Sequence, residues 1–192
     1  GALWCVAFAD EGRAVVAGSP NGVVFVWGFA SPLQRSELRG HGSCVSSVAA
    51  GESSRVVSGS WDGTVRLWDI RIFELVAVLR GHEDRVRAVD LSPDGETVAS
   101  ASDDGTLRLW GGETFDEQRR LEGHEDYVTA LCFCGSSSVI ASVSDDGSVK
   151  VWCLDPWETE LTIKGIPSPA SFIAASEDGQ WLATAAPGDA LS

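Results

Sequence analysis

Residues 81–110 read GHEDRVRAVDLSPDGETVASASDDGTLRLW, and this stretch decides the fold. A Gly81-His82 pair opens it, Trp110 closes it, and two Asp-Gly turns separate three short apolar runs. The pattern returns from Gly40 to Trp68 and from Gly123 to Trp152. Trp27, Trp68, Trp110 and Trp152 are spaced by 41, 42 and 42 residues. A fixed period of this size marks a repeat architecture in which each repeat is one supersecondary unit.

Each unit reads as four strands and no helix. In the third unit the strands are expected at 86–91, 97–102, 106–110 and 115–121; in the second, at 45–50, 55–60, 64–68 and 73–79. The fourth gives 128–133, 139–144, 148–152 and 158–163, and the first gives 3–8, 14–18, 23–27 and a polar outer strand at 33–38. Turns fall at Glu11-Gly12, at 51–54 and at Asp62-Gly63. Asn21-Gly22 is expected to form a two-residue hairpin loop with positive φ at both positions. A fifth unit begins with strands at 171–175 and 180–185 around Asp178-Gly179.

The second strand of each unit is built from small residues on both faces, as in Val98-Ala99-Ser100-Ala101-Ser102. Such a strand has neighbours above and below it, unlike one in an open sheet. The first strand spaces its large residues unevenly (Val86, Val89, Leu91), which predicts a bulge. Four-stranded sheets repeated radially make a β-propeller. The expected fold is therefore all-β, a propeller arc of antiparallel blades at 1–39, 40–80, 81–122, 123–164 and a cut-short 165–192, in one region spanning 1–192. About four and a half units leave the ring incomplete, so the open blade faces invite self-association. The absence of methionine, position 1 included, reads as the mark of a piece of a longer chain.

Charge narrows the partners. A net charge of −14 argues against nucleic acid, although Arg85, Arg87, Arg119 and Arg120 lie near one another in sequence. No apolar run approaches the roughly 18–20 residues that span a bilayer, and no signal peptide opens the chain, so no membrane role is expected. Cys5, Cys44, Cys132, Cys134 and Cys153 are odd in number and sit in or beside apolar runs, so free thiols in a reducing, intracellular compartment (cytoplasmic or nuclear) are expected. Cys132 and Cys134 form a C-x-C whose side chains share one face of a strand; a buried free pair is favoured over a metal site.

Gly40-His41, Gly81-His82 and Gly123-His124, each closed 27 or 28 positions later by Trp68, Trp110 and Trp152, resemble WD40 repeats. Of the tryptophans that close the three units, only Trp68 is followed by aspartate (Asp69), and Ala17 and Asn21 occupy the positions of Ser and Asp in the first unit. The resemblance implies three hydrogen-bonded tetrads: His41, Ser58, Asp62 and Trp68; His82, Ser100, Asp104 and Trp110; His124, Ser142, Asp146 and Trp152. A buried indole N–H needs an acceptor, and a hydroxyl and an imidazole can carry the chain on to a carboxylate.

Ser, His and Asp together invite a hydrolase reading, but the set recurs three times, each with a Trp at a fixed offset, and no G-x-S-x-G elbow is present. The Asp-Asp-Gly runs at 103–105 and 145–147 lack the ligands of a Ca²⁺ loop, and no phosphate-cradling glycine motif occurs. No catalytic residue, cofactor or metal is expected. The resemblance implies a protein or peptide partner on one face, presenting Trp4, Ser46, Trp61, Arg85, Arg87, Asp103, Tyr127, Thr129, Asp145 and Ser171. Trp61 sits in a hairpin loop with no core to fill, and Trp, Tyr and Arg are enriched at hot spots. Against this stands a rim that merely solvates itself, with Arg85 on Asp103 and Arg87 on a neighbouring acid. The expected function is a non-catalytic scaffold for protein–protein interaction in a multiprotein complex. The alternatives are a substrate-recognition or regulatory propeller of a larger enzyme, linked to ubiquitin ligation or an NTPase, or a phosphopeptide reader using Arg85 and Arg87.

Overall fold

The computed structural model describes residues 2–29, 35–51, 54–155, 157–166 and 170–186. The first blade is β1 (Cys5–Ala9), β2 (Ala14–Gly18), β3 (Val23–Gly28) and β4 (Arg35–Arg39). The second is β5 (Val45–Ala50), β6 (Arg55–Ser60), β7 (Thr64–Asp69) and β8 (Glu74–Arg80). The third is β9 (Val86–Leu91), β10 (Thr97–Ser102), β11 (Leu107–Gly111) and β12 (Glu117–Leu121). The fourth is β13 (Val128–Phe133), β14 (Val139–Ser144), β15 (Ser148–Leu154) and β16 (Trp157–Lys164), followed by the pair β17 (Phe172–Ala175) and β18 (Leu182–Ala185). Each sheet is an antiparallel meander, and among the described residues the series does not close into a ring.

A single sheet has two faces and no interior, so the core lies between blades. β1, β5, β9, β13 and β17 pack in succession. Val16, Val24 and Val26 of the first blade meet Val45, Val48, Val56 and Trp68 of the second. Val57, Val65 and Leu67 meet Val86, Val89 and Trp110 in the next layer. Leu107 and Leu109 meet Val128, Leu131, Ile140 and Trp152 in the third. Small residues in the second strand let the following blade approach. A Cβ on Gly59 would lie 2.7 Å from Val86 Cγ1 and 2.8 Å from Val89 Cγ1.

The bulge expected in the first strand is present in three blades, where register skips leave Ser46, Arg87 and Thr129 without a direct partner. In the first blade β1 pairs with β2 without a skip. Three turns differ from expectation. At Asn21-Gly22 only the glycine has positive φ (75°), and the loop is closed by Gly22 N–H on Ser19 C=O at 3.3 Å. It is a three-residue loop with a left-handed glycine, which suits Pro20 ahead of Asn21. The outer strands expected from Phe73 and Phe115 begin later, because those residues sit in the left-handed region at φ 56° and 60° and end the preceding turn. Residues 33–34 of the expected outer strand and 52–53 of the expected turn lie outside the described residues.

Because the Gly59 site has no space for a methyl group, Gly59→Ala should lower the unfolding free energy in a urea titration by about 1–3 kcal/mol. Gly28 is the control: among the described residues a Cβ there would meet nothing within 4 Å, and its φ is not positive. Gly28→Ala should change stability by less than about 0.5 kcal/mol. Equal effects of the two would contradict the close blade contact.

Candidate functional site

Four elements of each inner blade converge on one hydrogen-bonded chain. The histidine precedes the first strand, the serine lies in the second, the aspartate turns the hairpin and the tryptophan sits in the third. In the second blade Trp68 Nε1 donates to Ser58 Oγ at 2.8 Å, Ser58 Oγ lies 2.8 Å from His41 Nε2, and His41 Nδ1 lies 3.0 Å from Asp62 Oδ2. The matching distances are 2.9, 2.8 and 2.8 Å for Trp110, Ser100, His82 and Asp104. For Trp152, Ser142, His124 and Asp146 they are 2.9, 2.8 and 2.9 Å.

Electrostatics give the chain a direction. Burial lowers the pKa of His41 and of His124 despite the facing carboxylates, so both rings are neutral at pH 7. Burial pushes Asp62 up, yet the Thr64 hydroxyl, the backbone N–H groups of Gly42 and Thr64, and His41 outweigh it and bring its pKa down to about 2. Asp104 and Asp146 are likewise raised by burial and held below the ordinary carboxylate range by their hydrogen bonds. The indole N–H must donate, so in the second and fourth blades, where the ring is neutral, serine accepts from tryptophan and donates to Nε2, and Nδ1–H donates to the carboxylate. Ser58, Ser100 and Ser142 are fully buried. With each Oγ held between an indole and an imidazole, none can act as an exposed nucleophile.

A fifth member escaped the sequence reading. Thr64, Thr106 and Ser148 each donate a hydroxyl to the aspartate Oδ1 at 2.6 Å, and their backbone N–H groups bond to the same atom at 2.9, 3.0 and 2.8 Å. Its signal is the hydroxyl residue two places after each tetrad aspartate. The first blade has Val23 at that position, beside Asn21 and Ala17.

The expected partner-facing residues lie beside these tetrads. Trp61, Asp103 and Asp145 each precede a tetrad aspartate, and their backbone N–H groups bond to the carbonyls of Cys44, Arg85 and Tyr127 at 2.9, 3.0 and 3.0 Å. Trp4 meets Trp61 edge-on with ring centroids 5.0 Å apart. The guanidinium carbons of Arg85 and Arg87 lie 4.8 and 5.9 Å from the Trp61 centroid. Arg87 forms a bidentate pair with Asp103, Nε–Oδ1 2.6 Å and Nη2–Oδ2 3.0 Å, and this bond is the main cause of its raised pKa.

The ion pair is thus Arg87 with Asp103, while Arg85 stacks on an indole. The pairing of Arg85 with Asp103 weighed from the sequence is corrected accordingly. Trp61 is half-buried between neighbouring blades, although its loop position suggested a free ring. Ser46 and Thr129 turn their hydroxyls onto backbone. Ser46 Oγ lies 2.6 Å from Val86 O and 3.1 Å from Gly59 O; Thr129 Oγ1 lies 2.5 Å from Ala170 O and 3.2 Å from Val143 O. The bonds to Val86 and Ala170 tie the second blade to the third and the fourth blade to the fifth sheet. Ser171 enters the fifth sheet through its N–H on Ala185 O at 3.0 Å. Tyr127 is exposed, and Asp145 is raised by burial and then by the like charge of Asp126, with Arg87 opposing.

The family model for the WD domain, G-beta repeat, matches residues 1–28, 32–69, 73–111 and 115–153. The chain belongs to the WD40 repeat family, whose repeats build protein-interaction propellers. Compared with curated proteins, it has no match. Each match after the first runs from an outer strand into the three inner strands of the following blade, so the chain sews adjacent blades together. The matches end at Cys153, before the β17–β18 sheet.

Two measurements test the network. Trp110→Phe keeps an aromatic six-membered ring but removes the donor together with the pyrrole ring, and should cost at least about 1–3 kcal/mol in a urea titration; unchanged stability would contradict the bonding described. The pH dependence follows from the signs. His41 and His124 are depressed, so their contribution is complete above about pH 6.5 and declines as pH falls through that value toward their folded pKa values. Asp62 is also depressed, so its contribution is complete above about pH 4 and is lost toward about pH 2. The urea midpoint should fall in the acid range, and Asp62→Asn should flatten the decline below about pH 4. A wild-type and Asp62→Asn profile of the same slope there would contradict the assignment.

Proposed function

We propose that the chain is a non-catalytic interaction scaffold that captures a protein or peptide partner on the tetrad side of its blades, within a larger assembly in a reducing, intracellular compartment. The observation that carries this reading is the stack of Trp4, Trp61 and Arg85 across three successive blades. Trp4 remains 51% exposed although it packs on Trp61, so an aromatic surface is held in place and still open. Arg85 is exposed beside it, and Tyr127 continues the surface toward the fourth blade. Aromatic rings and arginine in fixed positions supply contact area at little further cost in side-chain entropy.

Phosphopeptide reading has less support. The Arg87 fork is engaged by Asp103, and Asp145 beyond it is raised by the charges of Asp126 and Asp103 after burial. An added phosphate would face acids as well as Arg85.

Trp61 and Arg87 hold neighbouring groups, so Trp4 and Arg85 are the cleaner probes. Peptides selected from a random display library for binding to the wild-type chain should lose at least about tenfold in affinity on Trp4→Ala and on Arg85→Ala. Both variants should unfold within about 1 kcal/mol of wild type. Selected peptides that bind both variants as well as wild type would remove this face from the function.

A further inference from the structure

The sequence holds one asparagine, Asn21, and it stands directly before a glycine. Five other turn glycines follow an aspartate instead, namely Asp62, Asp94, Asp104, Asp146 and Asp178. Each of those carboxylates is clamped in the same way. Its Oδ1 accepts a Ser or Thr hydroxyl at 2.5–2.6 Å and the backbone N–H two residues on at 2.8–3.0 Å. Asn21 lacks that clamp, because the groups that would form it are turned to each other. Ser19 Oγ donates to Val23 C=O at 2.9 Å and accepts Val23 N–H at 3.2 Å. The Asn21 side chain is exposed, and among the described residues no hydrogen bond engages it.

The nitrogen placed to react with this amide is that of Gly22, one residue on, whose attack closes a five-membered ring. Glycine has no Cβ to shield its nitrogen, and the Gly22 N–H is held only by the 3.3 Å bond to Ser19 C=O. The matching bonds at Gly63, Gly105 and Gly147 are shorter, at 3.1, 3.2 and 3.2 Å. An uncharged carboxamide is also an electrophile with ammonia as its leaving group, whereas an ionised carboxylate is not. Gly22 is seated more tightly than its counterparts. A Cβ on it would lie 2.6 Å from His41 O and 2.9 Å from Ser43 O, against 3.4 Å or more at Gly63, Gly105 and Gly147. The Asn21-Gly22 loop therefore joins a reactive amide to a contact with the second blade that has no spare room.

We propose that Asn21 is a site of spontaneous covalent modification, ageing through a succinimide to aspartate and isoaspartate, and that the isoaspartyl form loosens the seam between the first two blades. In the first step Gly22 N gives its proton to hydroxide and bonds to Asn21 Cγ; the Cγ–Nδ2 bond breaks and ammonia leaves. Water then opens the ring at one of its two carbonyls. Opening at Cγ gives aspartate, and opening at the main-chain carbonyl gives isoaspartate. The balance is one water consumed and one ammonia released, with no electron transferred. Aspartate leaves the main chain as it was and reproduces the Asp-Gly pair of the other hairpins. Isoaspartate routes the main chain through Cβ and Cγ, adding one methylene beside Gly22, where the His41 and Ser43 carbonyls leave no space. Its free α-carboxylate makes it a substrate for isoaspartyl carboxyl methylation.

The folded chain, aged in mildly alkaline buffer, should release one ammonia per molecule, and fragment masses of the tryptic peptide 14–35 should place the change at Asn21. Its rate should lie within about tenfold of that of the free synthetic 14–35 peptide. An isoaspartyl methyltransferase with labelled methyl donor should then mark that peptide in aged wild type and not in fresh protein. Asn21→Gln, whose longer side chain disfavours the ring, and Asn21→Asp should release no ammonia on the same timescale. Because the Asn21 side chain is exposed, both variants should fold, which a circular dichroism melt checks. Separated by ion exchange, the isoaspartyl form should unfold at a lower urea midpoint than Asn21→Asp, whose midpoint should match fresh wild type. The proposal is overturned if the folded chain reacts more than about tenfold slower than the free peptide, if Asn21→Gln releases as much ammonia as wild type, or if the isoaspartyl form and Asn21→Asp unfold at the same midpoint.

Discussion

A buried indole N–H sets the terms for each of the three inner blades. Trp68, Trp110 and Trp152 are almost fully enclosed between sheets, and an enclosed donor without an acceptor costs about 1–3 kcal/mol. The acceptor is a serine on the adjacent strand, whose hydroxyl is hydrogen-bonded to an imidazole that in turn faces a carboxylate. That sequence of bonds fastens the loop before the first strand, the second strand, the hairpin and the third strand to one another. Side chains that could have formed a hydrolytic triad are instead placed where no substrate reaches them.

A related constraint acts between the blades. A meander of four strands cannot bury both faces by itself, so every large apolar layer is shared by two sheets. Gly59 and the alanines and serines of the second strands admit the next blade closely. The bulge in the first strand then turns one residue out of the strand pairing. Where that residue is Ser46 or Thr129, its hydroxyl staples the next blade's backbone. Where it is Arg87, it pairs with Asp103 and passes under Trp61. One backbone device therefore produces a seam in two places and a charged, aromatic surface in a third.

The strands of the three inner units were legible because small-residue strands and Asp-Gly hairpins recur at one period. The tetrads were legible for the same reason, since four residue types keep fixed offsets in three copies. Periodicity reports what the copies share and is silent on what crosses between them. It could not show that Arg87 and not Arg85 reaches Asp103, because that depends on which way a bulged residue leans. It could not show Trp61 packed between Trp4 and Arg85, because those side chains belong to three different blades. The left-handed conformations of Phe73 and Phe115 were hidden because aromatic residues ordinarily signal strand, and here the turn geometry overrides that preference. Thr64, Thr106 and Ser148 were visible in the sequence as a recurrent hydroxyl, but their bond to the aspartate required the hairpin's actual shape.

The direction of the hydrogen-bonded chain is the most specific consequence of this structure, and imidazole ¹⁵N chemical shifts read it directly. In the native protein at pH 7, His41 and His124 should both be neutral, with the proton on Nδ1 and a bare Nε2 that accepts from serine. Rings found charged, or neutral with the proton on Nε2, would mean that the Trp–Ser–His–Asp chain does not run as described and does not hold the blades together in this way.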